Sequence, residues 1–390
     1  MHIDNLHFLI QTPLTQRDYE RFGVERLNQR GFTVKFLDIT SMLNPEYVLK
    51  SGVNAIEYKD IINFSSINDI EKYLMRVMSG STLIVDLIGR NPVTLFIYKL
   101  LKKYGISYIC ICANSLPIAS GGPSKCNLVD FKYWRKLASY FKSNIVRYFD
   151  GINFWHPTYA FAGGRMDTAA LLPFRKKVKI VWAHTLDYDL YLDYMARVPA
   201  PILKQDYAVF LDENWPFHPD FFVNRTQRND FKEPNDYYEE LDILFSKLEK
   251  KNGVPIVIAA HPRSRYEDMP DLFSGRKVIK MNTINLVANA KYVLAHGSTS
   301  VNFAILFEKP LIFLMPAKVK AGFFEAFIKN FAKQFNKEPI EADKISNYKI
   351  GDELFVDKEL YSNYKENYIK TKNSPENHFW DIVADAININ

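Results

Sequence analysis

The sequence predicts an α/β protein built from two doubly wound, Rossmann-like domains. Three observations lead there. Apolar runs of strand length alternate with amphipathic stretches of helical period; the alternation restarts after Pro199 and Pro201; and 390 residues exceed what one ordinary core holds.

The first half opens with LHFLI, a helical stretch carrying Tyr19, Phe22, Val24 and Leu27, then Gly31 and FTVKFLDI, which together form a β-α-β unit. STLIVDLIG, a helix at VTLFIYKLLKKYG and ISYICICA extend this into an open parallel sheet flanked by helices over roughly the first 115 residues. The loop SLPIASGGPSK leads to a basic aromatic helix, FKYWRKLASYFKSNIVRYF. GINFWHPT, KVKIVWAHT and a helix from Tyr188 to Met195 close this half. The second series reads YAVFLDE, a helix from Asp236 to Lys250, VPIVIAAHP, KVIKM, a short helix at INLVANA, YVLAHG, a helix from Thr299 to Phe307, and PLIFLMP. Beyond Asn336 the text is polar and tyrosine-rich until an amphipathic helix at HFWDIVADAI. The expected division is residues 1–200, residues 201–350 and a 351–390 tail whose helix packs back on the first domain. Two such domains create a cleft, with ligands at the carboxyl ends of the strands.

Composition limits the function. Hydrophobic residues at 47% and charged ones at 24% are those of a soluble globular chain. A net charge of +6 favours phosphate-bearing ligands or an anionic membrane surface and is too small to argue for nucleic acid. Cys110, Cys112 and Cys126 form neither a disulfide framework nor a zinc pattern, so no metal is expected. The opening MHIDNLHFLIQTP lacks the features of a signal peptide, and no run approaches the roughly 18 apolar residues of a membrane span. The expectation is a cytoplasmic protein. Peripheral contact with the inner face of the membrane is a further possibility, offered by Lys132, Arg135, Lys136, Lys142 and Arg147 interleaved with aromatics, and by AGFFEAFIKNFAKQFNK.

Polar residues gather where the strands of the second half end: Asp212 and Glu213 after YAVFL, His261 and Arg263 after VPIVIAA, His296 to Ser300 after KYVLA. In HGSTS, Gly297 allows a tight turn, and Ser298, Thr299 and Ser300 offer hydroxyls and amides to an anion, or simply cap a helix. Of three His-Pro pairs, at His156, His218 and His261, only the last directly follows a strongly apolar strand, where proline fixes the imidazole in extended geometry. Asp212 or Glu213 would serve as general base, or as a salt-bridged or helix-capping pair. HTLDYD offers a competing carboxylate in Asp187. His184, Asp187, Asp189 and Ser120 are the acceptor-side candidates of the first domain, and the aspartate spacing would also suit a divalent cation on a diphosphate.

The order FLDEN, AAHPRS and AHGSTSVNFAILFEKPLIF resembles the acidic, His-Pro and Ser/Thr motifs of bacterial glycosyltransferases of the GT-B fold that use CMP-activated acidic sugars: the sialyltransferases and related Kdo transferases. The resemblance covers residues 206–316 at the level of motifs. It implies that His261 and the hydroxyls of Ser298, Thr299 and Ser300 hold the CMP phosphate. It also implies that Asp212, with Glu213 second, is the catalytic carboxylate, although Asn214 stands where those families place glycine. The expected partners are a nucleotide sugar and an oligosaccharide or lipid-linked acceptor. No cofactor is expected, because a CMP-sugar carries one phosphate and does not strictly require a metal. The alternatives are a UDP- or dTDP-sugar transferase, a CDP-glycerol-type transferase, and a non-catalytic polysaccharide-binding or assembly protein.

Overall fold

The computed structural model describes residues 2–50, 53–117, 155–171, 177–218, 234–319, 323–341, 344–345 and 349–388. The chain forms two compact units, one of Met1–Ala113, Ser120–His184 and Asn373–Asn390, the other of Asn114–Ala119 and Thr185–Lys372.

In the first unit seven strands, β1 (Asn5–Ile10), β2 (Thr33–Asp38), β3 (Ile61–Asn63), β4 (Thr82–Asp86), β5 (Tyr108–Cys112), β6 (Tyr159–Ala162) and β7 (Lys179–Trp182), lie parallel in the order β3-β2-β1-β4-β5-β6-β7. Two of them escaped the sequence reading. β3 is a half-buried edge strand of three residues, and β6 has four, too few for periodicity to register. The helix Ile67–Leu74 was also passed over. It starts at Ser66, whose Oγ accepts the Asp69 N–H at 3.3 Å, a cap that polar text conceals.

The C-terminal helix Phe379–Asn388 docks on this unit. Trp380 Nε1 donates to the Arg21 carbonyl at 2.9 Å, and Arg26 pairs with Asp381 at 3.0 Å. Gly23 makes the approach possible. Its φ of 58° favours glycine, and a Cβ there would lie 2.4 Å from the Trp380 ring.

The second unit has six parallel strands, β8 (Ala208–Leu211), β9 (Ile256–Ala260), β10 (Val278–Lys280), β11 (Val293–Ala295), β12 (Leu311–Met315) and β13 (Ile340–Glu341), ordered β10-β9-β8-β11-β12-β13. Winding runs one way from β8 to β10 and the other way from β11 to β13. The topological switch point therefore lies between β8 and β11, where such sheets open a crevice at their carboxyl ends.

The units divide after His184, ahead of the Pro199–Pro201 turn chosen from the sequence. The cause is packing of the helix Leu186–Arg197 on the second unit. Tyr191 and Tyr194 set their rings edge-on to Phe307 at 5.3 and 5.0 Å, and Lys365 lies over the Tyr188 ring. Asp187 and Asp189 thus belong to the second unit and not, as expected, to the first.

The helix Phe323–Lys333 turns part of its aromatic face inward. Phe327, Ile328, Phe331 and Ala332 are buried, and Phe331 and Phe335 pack on Phe313 with centroids 5.9 and 5.8 Å apart. Phe327 and Phe331 are thus core residues, as amphipathic helices of soluble domains usually provide. The other basic aromatic stretch, at 131–147, lies outside the described residues, as does Ser120. Among the described residues no helix is long and apolar enough to cross a membrane.

Candidate functional site

β8 ends at Leu211, and the two carboxylates that follow it turn toward different neighbours. Asp212 faces β9: its Oδ2 accepts the His261 N–H at 3.2 Å and the Tyr266 hydroxyl at 2.8 Å, while Oδ1 accepts the Asn214 N–H at 3.1 Å. Glu213 faces β11: Oε1 accepts the Gly297 N–H at 2.9 Å and Oε2 accepts Trp215 Nε1–H at 2.7 Å. Both are buried, at 6% and 8% exposure. Burial pushes Asp212 up to about 6, against the pull of its hydrogen-bond donors. It pushes Glu213 up to about 8, with the neighbouring Asp212 charge adding to the rise and the Gly297 and Trp215 donors opposing it.

Asn214 adopts φ 53°, the left-handed region that favours glycine and that asparagine tolerates better than other side chains. That conformation explains why glycine would suit the position and why asparagine can replace it. Its Oδ1 also accepts the Tyr266 hydroxyl at 3.1 Å.

His261 is half-buried at the end of β9, and its Nδ1 accepts the Arg263 N–H at 3.2 Å, which leaves Nε2 as the protonated nitrogen of the neutral ring. The His218 ring lies 4.9 Å from it. This second histidine was missed in the sequence. Its only signal was the His-Pro pair, set aside because no apolar strand directly precedes it. Arg263 is half-buried beside His261, whereas Arg265 is exposed and paired with Asp268 at 2.9 Å.

The turn after β11 divides into an inner and an outer part. His296 is fully buried. Its Nδ1–H donates to the Leu314 carbonyl at 2.8 Å, so its Nε2 accepts the Tyr237 hydroxyl at 2.8 Å. Burial lowers its pKa to about 4, and Trp215 stacks on the ring at 4.6 Å. This is a neutral core histidine that ties β11 to β12, with both ring nitrogens engaged inside the protein. Gly297 spends its N–H on Glu213. It is glycine because of close approach and not because of an unusual φ: a Cβ would sit 2.8 Å from Phe331 and 3.0 Å from Phe327. Ser298, Thr299 and Ser300 form the outer part, half-buried ahead of the helix Val301–Leu306. Ser298 Oγ accepts the Ser300 N–H at 3.2 Å. The amides of Ser298 and Thr299 donate to no other group among the described residues.

The structure thus brings Asp212, Glu213, His261, Arg263 and residues 296–300 to one end of one sheet. The acceptor-side candidates do not gather in this way. His184 closes the first unit, buried, with Nε2 donating to the Asn377 carbonyl at 2.8 Å and its ring against Phe379. Asp187 and Asp189 occupy the first turn of the helix Leu186–Arg197, and side chains two apart on a helix diverge, so they make no shared cation site. Among the described residues no group of three or more His, Cys, Asp or Glu is disposed to hold a metal.

No family model matches the chain, and no curated protein matches it. Solved structures do. The wall teichoic acid polymerase TagF aligns with a TM-score of 0.54 at 13% identity, over 98% of this chain and 88% of that one. MurG of Acinetobacter baumannii aligns at 0.44 and 10% identity over 98% and 99%, and the UDP-GlcNAc 2-epimerase of Methanocaldococcus jannaschii, in complex with UDP-GlcNAc and UDP, at 0.44 and 14% over 92% and 98%. The fold is of the GT-B class. The α/β, doubly wound class expected from the sequence is the one observed. At these identities the likeness speaks for architecture alone, because one fold hosts many chemistries.

Proposed function

We propose that the protein is a glycosyltransferase that moves an acidic sugar, of nonulosonic acid or Kdo type, from a CMP-linked donor to a saccharide acceptor of a bacterial surface polysaccharide or lipopolysaccharide. One observation carries the reading: the His261 loop and the Ser298–Ser300 turn flank β8 at the switch point of the second sheet.

Breaking the bond between an anomeric carbon and a phosphate leaves negative charge on the departing phosphate. The amides of Ser298 and Thr299, the hydroxyls of Thr299 and Ser300, and His261 with Arg263 are groups of the right kind to stabilise it, since donors fixed before reaction cost no reorganisation during it. In this reading His296 and Gly297 shape the turn without touching the ligand. The acceptor hydroxyl must lose its proton to a base, for which the carboxylates of Asp212, Glu213 and Asp187 are the candidates.

Calorimetric titration tests the donor. CMP binding tighter than UDP supports this reading, and the reverse order moves the donor to a UDP- or dTDP-sugar. A second reading keeps the same loops and takes a CDP-glycerol-type donor; the polymer-forming activity in the name of the TagF structure is what recommends it. Tighter binding of CDP-glycerol than of any CMP-sugar would select it. A non-catalytic polysaccharide-binding protein would bind none of these nucleotides.

A further inference from the structure

Asp212 and Glu213 follow one strand, and each reaches the loop of a different neighbour. Asp212 accepts the backbone N–H of His261 and Glu213 that of Gly297, across 49 and 84 residues of sequence. The two loops held in this way follow β9 and β11, the strands on either side of β8. The geometry points to Asp212 and Glu213 as a two-armed brace: positioning residues that fix the His261 loop and the Gly297–Ser300 turn around the donor phosphate, and not the proton acceptor of the reaction. This rests on the nucleotide reading of the same site.

A general base needs an accessible lone pair within hydrogen-bond reach of the acceptor hydroxyl. Both Asp212 oxygens and both Glu213 oxygens already accept from a protein donor, and both side chains are buried. The surroundings are built to keep them so. The left-handed Asn214 turns the chain so that Trp215 can donate to Glu213, and the Trp215 ring then packs between His296 at 4.6 Å and Phe324 at 4.5 Å. On the other side Tyr266 donates to Asp212 from within an aromatic cluster of Tyr238 and Phe273. A proton delivered to Asp212 would weaken the grip on the His261 loop at the moment the phosphate departs, the opposite of what preorganised stabilisation requires.

An amide cannot replace either carboxylate. Glutamine at 213 offers one acceptor oxygen to two N–H donors on opposite sides, so one N–H faces another N–H. Asparagine at 212 meets the same conflict between His261 and Asn214. Leaving a buried donor unmade weakens the hold of its loop by roughly tenfold or more.

The test is amide hydrogen exchange in the nucleotide-free protein, combined with CMP titration and steady-state kinetics, on Glu213→Gln and Asp212→Asn. The expected result is roughly tenfold faster exchange at the Gly297 amide in the first variant and at the His261 amide in the second. Donor KM rises by a similar factor and kcat falls by no more than about tenfold, while the acid-limb pKa of the pH–rate profile, which reports the base, holds. Trp215→Phe keeps a ring in place and removes only one donor to Glu213, so it should speed Gly297 exchange by less; this guards against a carboxylate variant that fails to fold. Unchanged exchange at both amides overturns the brace. So does a kcat loss on the order of a thousandfold with nucleotide affinity intact, the signature of a lost base. If exchange changes as expected but the wild type binds no nucleotide, the brace stands and the donor reading falls.

Discussion

The Gly297 N–H donates to Glu213 Oε1 at 2.9 Å, and the same glycine lies against the rings of Phe327 and Phe331 with no room for a Cβ. One residue thus joins the carboxylate brace to the aromatic core beneath the turn. Gly297→Ala should cost about 1–3 kcal/mol of stability by overpacking, and should weaken CMP binding by shifting Ser298 and Thr299. Urea denaturation paired with titration reads both; a neutral effect on each would mean that the turn moves without consequence.

Asn214 makes a second demand on the backbone. At φ 53° alanine pays the left-handed penalty that glycine avoids, and both replacements lose the contact with Tyr266. Asn214→Ala should therefore be less stable than Asn214→Gly by about 1–2 kcal/mol. Equal denaturation midpoints would show that the turn relaxes to another conformation.

His296 carries a pH signature. Its folded pKa is lowered by burial to about 4, below the ordinary 6.5, so the unfolded chain binds the extra proton between those values. Its contribution is fully present above pH 6.5 and is lost as pH falls through 4, by about 3 kcal/mol at most. The stability gap between the wild type and His296→Phe should shrink from pH 7 to pH 4. A constant gap would place a charged imidazole in the core.

Glu213 has the opposite sign. Burial raises its folded pKa to about 8, from an ordinary 4.5, so its contribution is present below pH 4.5 and is lost as pH rises through 8. The wild type should exceed Glu213→Gln in stability by more at pH 5 than at pH 9. A gap that widens toward pH 9 would mean that the Gly297 and Trp215 donors outweigh burial.

Much of the fold and the outline of the site were legible in the sequence for one reason: in a doubly wound sheet, polar residues at the end of an apolar run fall at the functional edge. Asp212, His261 and Ser298 were assigned to one end of the sheet in this way, and the structure puts them there. Their roles were not legible, because a carboxylate's partners depend on which strands become neighbours, and β8 lies between β9 and β11 only in three dimensions. The same limit explains why His296 was taken for a ligand residue: nothing in HGSTS says that its ring turns inward to Leu314 and Tyr237. The division between units was misplaced because prolines are conspicuous in a sequence, whereas the packing of Tyr191 and Tyr194 on Phe307 is not. His218 was overlooked because its neighbour in space, His261, is remote in sequence.

The most direct test of a phosphate site between the His261 loop and the Ser298–Ser300 turn is calorimetric titration of CMP into the wild type, His261→Ala and Thr299→Ala. The expected result is saturable binding by the wild type, weakened by roughly tenfold or more in His261→Ala and by less in Thr299→Ala, with thermal unfolding unchanged. Binding of equal strength in all three proteins would place the nucleotide elsewhere and contradict the assignment.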